Sequence, residues 1–139
     1  MDRPTNILFL AIAQTLLWAG LYYIFPALFG RWEISLGYSK TAIASAFTSA
    51  IIISSILAPF VGNLIDKGYG RSILVGSSIL GAFGLIALSF SSGFLIFFVS
   101  WSVIGIALSG CLYEPCFAYV TRVRGTKAKD AIIFITLIA

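Results

Sequence analysis

The sequence predicts an all-α membrane protein with four transmembrane helices and the start of a fifth. Hydrophobic residues make up 60% of the 139-residue chain, whereas only 10% of its residues are charged. A soluble domain carries roughly a quarter charged residues, because its surface must stay hydrated. The mean hydropathy is +1.04, and the basic residues fall between or beyond long apolar runs. We therefore expect the apolar surface to face the lipid bilayer.

Each predicted helix is an apolar run bounded by Gly, Ser or charged residues, which are typical of turns and helix caps. A helix needs about 20 apolar residues to cross a hydrocarbon core of ~30 Å. Four runs reach this length, whereas a fifth stops after nine residues, which span only ~14 Å. The sequence is therefore expected to be cut short inside a fifth helix. In chain order, the predicted helices cover residues 7–29, 41–65, 72–90, 94–120 and 131–139.

The distribution of basic residues favours one orientation. Seven of the nine lie on the side shared by the N-terminus and the connections after the second and fourth helices, whereas Arg31 and Lys40 lie on the other side. Cytoplasmic loops carry the excess of Lys and Arg in membrane proteins. We therefore expect a multi-pass protein of the cell membrane with a cytoplasmic N-terminus.

The composition also excludes several classes of function. The chain has no His and only two Cys, so it contains no Ser/His/Asp triad, no Cys/His nucleophile and no His-containing zinc site. A nucleic-acid groove needs basic residues clustered on a hydrated surface, and here long apolar runs separate them. We expect no enzymatic activity, no metal or other cofactor, and no nucleic-acid partner.

The second predicted helix carries small residues at every fourth position. Small residues let helix backbones approach closely in lipid, where the hydrophobic effect no longer drives helices together. This helix is therefore predicted to lie inside the bundle. The row consists of Ala42, Ala46, Ala50, Ser54, Ala58 and Gly62.

A polar motif connects the second and third predicted helices. Asp66 is placed to accept hydrogen bonds or to face the positive N-terminus of a neighbouring helix. Gly62 removes a side chain where two helices are expected nearly to touch. Lys67 and Arg71 follow the positive-inside bias and are cationic partners for a carboxylate. Two further glycines allow the positive φ of a tight turn: Gly68 and Gly70.

This motif resembles the signature loop of the major facilitator superfamily, G-x-L-x-D-[RK]-x-G-[RK]-[RK], which lies between helices two and three. Ser72 stands where a second basic residue is usual. The match allows one extra residue before the second glycine, and the matching residues are Gly62, Leu64, Asp66, Lys67, Gly70 and Arg71.

The resemblance implies a twelve-helix carrier that moves a small solute by secondary active transport and alternating access. This chain would supply part of its N-terminal six-helix half, with the remaining helices of the carrier as partners. Weaker likenesses to the monocarboxylate-like and oxalate-like branches favour an organic anion as the solute. The resemblance also implies an inner gate, formed by Gly62, Asp66, Lys67, Gly70 and Arg71.

Glu114 is the ionisable side chain that falls within a complete predicted span. An acid at the centre of a bilayer costs roughly 2.5–3.5 kcal/mol, so it must pair, bind a proton or reach water. Three interpretations are open: a gate pair with Arg71 or Lys67, a site for the coupling proton, or a carboxylate at the interface without a role. Pro115 cannot donate a backbone hydrogen bond and is expected to kink this helix.

Polar and aromatic residues are spaced by four along the first helix: Gln14, Trp18 and Tyr22. They lie near the bilayer midplane, where transporters bind substrate. Because helices one and four line the central cavity in the superfamily, the resemblance makes these residues candidate substrate contacts. Packing against neighbouring helices is the alternative. The residues predicted to anchor the outer interface and end the helix are Tyr23, Phe25, Pro26 and Trp32.

Two other functions are open. A complete four-helix multidrug exporter that works as a dimer has a similar length, but such proteins place their essential acid in the first helix, where this sequence has Gln14. Trp101 stands where proton-driven antiporters of the superfamily often carry Arg, which argues against drug–proton antiport. A non-transporting membrane subunit would need a partner surface in its loops, and these are short.

Overall fold

The structure, a computed structural model, describes residues 4–138, and its secondary structure is entirely helical. The prediction of an all-α protein is confirmed. Arg3 and Ala139, which entered the predictions of orientation and of the fifth helix, lie outside the described residues. The helices are α1 Pro4–Leu17, α2 Ile24–Leu36, α3 Lys40–Leu64, α4 Gly70–Ser89, α5 Phe94–Cys111, α6 Tyr113–Arg124 and α7 Ala128–Ile138. Three of their six connections are short helical turns: two π-helical, Trp18–Tyr23 and Ile65–Tyr69, and one 3-10, Gly125–Lys127.

Among the described residues, three helical stretches are long and apolar enough to cross a membrane: Asn6–Leu36, Lys40–Ser89 and Phe94–Ile138. The predicted count of four complete spans and a partial fifth is not matched, because two predicted connections are themselves helical. The π-helical turn Ile65–Tyr69 joins α3 to α4, and the 3-10 turn Gly125–Lys127 joins α6 to α7.

The first helical stretch extends beyond the predicted end at residue 29. It ends at Leu36, where Gly37 adopts a left-handed conformation with φ of 68° and donates its N–H to the Glu33 carbonyl at 3.2 Å. Such a glycine is a common helix end. Pro26 lacks the N–H that a helix interior uses, but the π-helical turn Trp18–Tyr23 lies just before it. Such a turn lets the helix bend and continue past the proline.

The helices α3 and α4 run in opposite directions on either side of Gly68, whose φ of 102° is non-helical. Gly70, which was also expected to take a positive φ, has helical backbone with φ of −53°, so Gly68 alone of the two makes the turn. Gly105 of α5 packs against Ala50 of α3, and further along the same two helices Gly62 and Ser109 line one cavity, so α3 and α5 are parallel. Residues of α4 meet α5 in reverse order, which makes that pair antiparallel: Ser77 with Gly110, Gly81 with Ala107, and Gly84 with Ile104.

The central helix among the described residues is α5 rather than α3. Ten of the 18 residues of α5 are buried, among them Phe97, Trp101 and Ile104, whereas three of the 25 residues of α3 are. The predicted row of small residues explains the difference, because only its first half packs closely. Ala46 and Ala50 are buried, whereas Ser54, Ala58 and Gly62 are half-buried.

Aromatic rings join α2, α3 and α5 near one end of the bundle. Phe25 is buried, stacks on Phe47 with 4.2 Å between ring centroids, and meets Trp101 edge-on at 5.2 Å. Trp32 lies 5.9 Å from Trp101. The prediction that Phe25 anchors the outer interface is therefore wrong, whereas Trp32 is half-buried and its interface role stays a prediction. Aromatic side chains suit both a packed core and a membrane interface, so composition alone does not separate the two.

Candidate functional site

The predicted fourth helix is broken at Leu112, whose extended backbone, with ψ of −168°, separates α5 from α6. Pro115 lies in the first turn of α6 and cannot donate an N–H to the carbonyl of Cys111, four residues earlier. The kink predicted at Pro115 is therefore present, three residues nearer the N-terminus than the proline itself. The break places Tyr113 and Glu114 at the start of a new helix.

Gln14 of α1 takes the hydrogen bond that Pro115 leaves unmade. Its Nε2 donates to the main-chain oxygen of Cys111 at 3.0 Å, and the Gln14 side chain is only 1% exposed. Buried backbone carbonyls need such a partner. The Oε1 atom of Gln14 is also buried and has no hydrogen-bond partner in the described part of the chain. Gln14 therefore ties α1 to the break and retains one unused acceptor.

The other two residues of the predicted stripe belong to a cluster of rings. Trp18 lies 5.0 Å from Tyr22 and 5.0 Å from Tyr113 of α6, measured between ring centroids. Tyr113 stacks on Phe117 at 5.2 Å, and Tyr22 lies 5.6 Å from Tyr23. We call this set the aromatic wall: Trp18, Tyr22, Tyr23, Tyr113 and Phe117.

Sequence reasoning missed Tyr113 as a member of this cluster. Its position one residue before Glu114 was visible, but its contact with Trp18 depends on the break that turns α6 toward α1. Tyr23 is 57% exposed, and the remaining rings of the wall are half-buried. Between residues 4 and 138, the Trp18 indole Nε1 is buried and has no hydrogen-bond partner.

Glu114 lies in the first turn of α6 and is exposed. A carboxylate in that position is favoured by the helix dipole. It also lines a cavity of about 110 Å³ that is shared with Gly62 of α3 and Ser109 of α5. In the part of the chain that the structure describes, Glu114 forms no ion pair with Arg71 or Lys67. That pairing stays a prediction.

The polar motif between α3 and α4 meets the end of α6. The Arg122 guanidinium donates a hydrogen bond to the main-chain oxygen of Asp66. Gly70 packs so closely on Tyr119 that an added Cβ would lie 2.7 Å from its ring. The side chains of Asp66, Lys67 and Arg71 are exposed. Arg122 is one of the seven basic residues on the predicted cytoplasmic side, and no local pattern in the sequence indicates its contact.

Gly62 of this motif lies in a different environment from the one predicted, and Arg71 borders a cavity. A Cβ at Gly62 would meet no atom within 4 Å, so the predicted close approach of two helices does not occur there. Arg71 lines a cavity of about 640 Å³ between α1, α4 and α6, beside Leu10 and Tyr119.

Helix α6 connects the two predicted sites. Its first turn carries Glu114 and Tyr113, whose ring contacts Trp18, and Arg122 near its end contacts the polar motif. Eight residues of helix separate Glu114 from Arg122, which corresponds to ~12 Å. A rigid rotation of α6 would therefore move both sites together.

Comparison with known proteins gives one informative likeness. A stretch of 84 residues, 60% of this chain, is 30% identical to the Fujikurins efflux protein of Gibberella fujikuroi. The chain spans 18% of the length of that relative. No protein-family profile and no solved structure matches the chain. The likeness and the long apolar helices are compatible with a membrane protein that has a role in transport.

Proposed function

We propose that the protein containing this chain is a secondary active transporter that moves a small solute by alternating access. The observation that carries the proposal is the likeness to an efflux protein over 84 residues. The three apolar helical stretches supply the membrane-spanning elements that such an activity needs. The proposed protein performs no covalent chemistry and needs no cofactor or nucleic acid.

The proposed topology has four spans and the start of a fifth, in the N-terminal half of a major facilitator superfamily carrier. The first span is α1 with α2, the second and third are α3 and α4, the fourth is α5 with α6, and α7 begins the fifth. The opposite directions of α3 and α4 around Gly68 support counting them as two spans. The N-terminus and the turn Ile65–Tyr69 are proposed to be cytoplasmic, in the cell membrane.

The proposed inner gate is the polar motif with its contact to α6. Asp66, Lys67 and Arg71 supply the charges, and Gly62 and Gly70 the glycines. The contact of Arg122 with the Asp66 carbonyl supports this assignment, because it ties the motif to the helix that also carries the intramembrane acid. Glu114 is proposed as a gate partner or proton site. Trp18 and Tyr22 are proposed to face the substrate, with Gln14 holding α1 beside them.

Transport by the protein encoded in the complete reading frame tests this function. We expect uptake or efflux of at least one solute from a panel of small organic compounds. Asp66→Asn should reduce that transport to a small fraction while the amount of protein in the membrane is unchanged. The matched control is Asp130→Asn, which removes an exposed acid from the first turn of α7 and should transport normally. Normal transport by Asp66→Asn would remove the gate assignment, and transport of no solute would remove the proposed function.

A further inference from the structure

We infer that a groove between α1 and α4 holds one acyl chain of an anionic phospholipid, whose phosphate group binds Arg71 at the mouth of the groove. The inference concerns a bound lipid and not the transported solute, so it goes beyond the proposed function. Two neighbouring cavities, of about 640 Å³ and 250 Å³, form the groove. The residues that line both cavities are Leu10, Ala13, Leu74 and Val75.

The groove is open at one end and closed at the other. Asn6 of α1 and Arg71 of α4 border its mouth, which α6 also lines. Further along the same two helical stretches, the Leu21 side chain reaches α4, where a Cβ on Gly81 would lie 2.8 Å from its Cδ1 atom. Leu21 and Gly81 are both buried. The groove is therefore a wedge that closes away from Arg71.

The depth of the groove matches one leaflet of a bilayer. On α4 it extends from Arg71 to Ile79, and eight residues of helix correspond to ~12 Å. One leaflet contributes about half of a hydrocarbon core of ~30 Å. A further transmembrane helix would need a surface that continues across the whole bilayer, whereas the contact between Leu21 and Gly81 closes this groove. A wedge of this depth fits a single acyl chain.

The deeper part of the groove is chiefly apolar. Val75 and Ile79 each leave more than half of the side chain exposed. The polar side chains in this part, Gln14 and Ser78, donate hydrogen bonds to main-chain oxygens of the protein at 3.0 Å and 2.7 Å. Their donors are thus used within the protein, and the remaining surface suits a hydrocarbon chain.

The mouth of the groove carries the charge that an anionic head group needs. Arg71 is exposed, and over residues 4–138 it forms no ion pair with a carboxylate. A guanidinium binds phosphate through two parallel hydrogen bonds. The segments 65–71 and 121–130, which meet at this end of the bundle, carry six basic residues and two acids. Basic pockets between transmembrane helices are known to bind anionic lipid head groups.

A lipid fits the mouth better than a free phosphate ion does. Leu10, Phe9 and Val123 line the cavity beside Arg71, and a free phosphate would lose hydration against these apolar side chains. A phospholipid instead places its glycerol and first methylene groups there. The cavity of about 640 Å³ is large enough, because ligand pockets commonly have ~300–1,000 Å³.

Photolabelling of the purified protein from the complete reading frame tests the inference. The probe is phosphatidylglycerol with a diazirine in its acyl chain, and we expect label in residues 10–17 and 74–79. Unlabelled phosphatidylglycerol should compete about fivefold better than phosphatidylcholine with the same chains, which corresponds to ~1 kcal/mol. Water-soluble glycerophosphate should not compete. This comparison needs no variant and stands even if substitutions impair folding.

Three results would overturn the inference. Equal competition by phosphatidylcholine would show an apolar groove that does not recognise charge. Competition by glycerophosphate would show a phosphate site that binds no lipid chain. Label confined to other segments would show that another part of the protein fills the groove. Because no solute is present, labelling is independent of the transporter proposal.

Variants then assign the head group and the chain. Arg71→Gln should reduce labelling about fivefold, and Arg71→Lys should retain part of it. The matched control, Lys129→Gln, removes an exposed charge of α7 at the same end of the bundle and should label normally. Ala13→Phe fills the groove and should block labelling, whereas Ala87→Phe changes an exposed residue of α4 beyond the closed end and should not. Equal labelling in test and control variants would contradict the assignment.

Discussion

The side-chain amide of Gln14 donates a hydrogen bond to the main-chain carbonyl of Cys111, 97 positions away in the sequence, at 3.0 Å. Pro115 explains why this carbonyl is available, since a proline cannot donate the helical N–H that would otherwise reach it. The pair fastens the first helical stretch to the point where the third stretch breaks. Gln14 and Pro115 thus act together: the proline leaves the carbonyl free, and the glutamine side chain binds it.

This relationship predicts a thermodynamic coupling. Gln14→Leu leaves the buried Cys111 carbonyl without a partner and should destabilise the protein by about 1–3 kcal/mol. In a Pro115→Ala background the restored N–H satisfies that carbonyl, so Gln14→Leu should cost at least about 1 kcal/mol less. Thermal denaturation in detergent of the wild type, the two single variants and the double variant completes this double-mutant cycle. Additive losses would show that the two residues act independently.

A second prediction concerns the packing of α3 on α5. A Cβ on Gly105 would lie 2.7 Å from the Cα of Ala50, and backbone atoms in two packed helices cannot move aside locally. Gly105→Ala should therefore lower stability by about 1–3 kcal/mol. The control is Gly76→Ala on α4, where a Cβ meets nothing within 4 Å and helix propensity favours Ala by up to about 1 kcal/mol. Similar melting temperatures for the two variants would contradict the close contact between α3 and α5.

The two glycines of the polar motif should respond differently. A Cβ on Gly70 would lie 2.7 Å from the Tyr119 ring, whereas one on Gly62 has open space. Gly70→Ala should force the ring aside and reduce both transport rate and melting temperature, by about 1 kcal/mol of stability or more. Gly62→Ala should leave the melting temperature nearly unchanged. The reverse order of sensitivity would mean that the motif packs differently.

Arg122 should control the mobility of the turn Ile65–Tyr69. Arg122→Gln removes the charge-assisted hydrogen bond to the Asp66 carbonyl, which should lower the local opening free energy by about 1 kcal/mol. Amides of the turn would then exchange hydrogen about fivefold faster. Lys127→Gln removes an exposed charge from the 3-10 turn Gly125–Lys127, which follows α6, and serves as the control. Unchanged exchange in Arg122→Gln would show that the contact does not hold the turn.

Hydropathy predicted where the helices lie more accurately than which distant residues contact one another. The ends of α3 and α4 lie within two residues of the predicted boundaries, because apolar runs there stop at charged or small polar residues. Ser39, for example, accepts a hydrogen bond from the Ala42 N–H at 3.2 Å and caps α3. Such boundaries depend on residues that are neighbours in the sequence, so the order of amino acids is enough to locate them.

Features set by distant residues were not predictable in the same way. Phe25 packs in the core because Phe47 and Trp101 meet it there, and nothing local to Phe25 specifies either ring. Pro115 indicated that the fourth helix bends, but the position of the break at Leu112 and the role of Gln14 depend on how α1 lies against α5 and α6. Only part of the candidate site could therefore be predicted from the sequence: Trp18 and Glu114 were identified, and Tyr113 was not.

The rings around Trp101 make the two ends of this bundle mechanically unequal. At one end, Trp32 and Phe97 meet edge-on at 5.3 Å and join α2 to α5, whereas at the other end the guanidinium of Arg122 donates a hydrogen bond to the Asp66 carbonyl and Gly70 packs on Tyr119. Packed rings resist sliding of one helix along another, while a hydrogen bond to water-exposed backbone breaks readily. Thermal fluctuations should therefore separate the helices at the turn Ile65–Tyr69, while the aromatic end stays packed and the helices pivot about it.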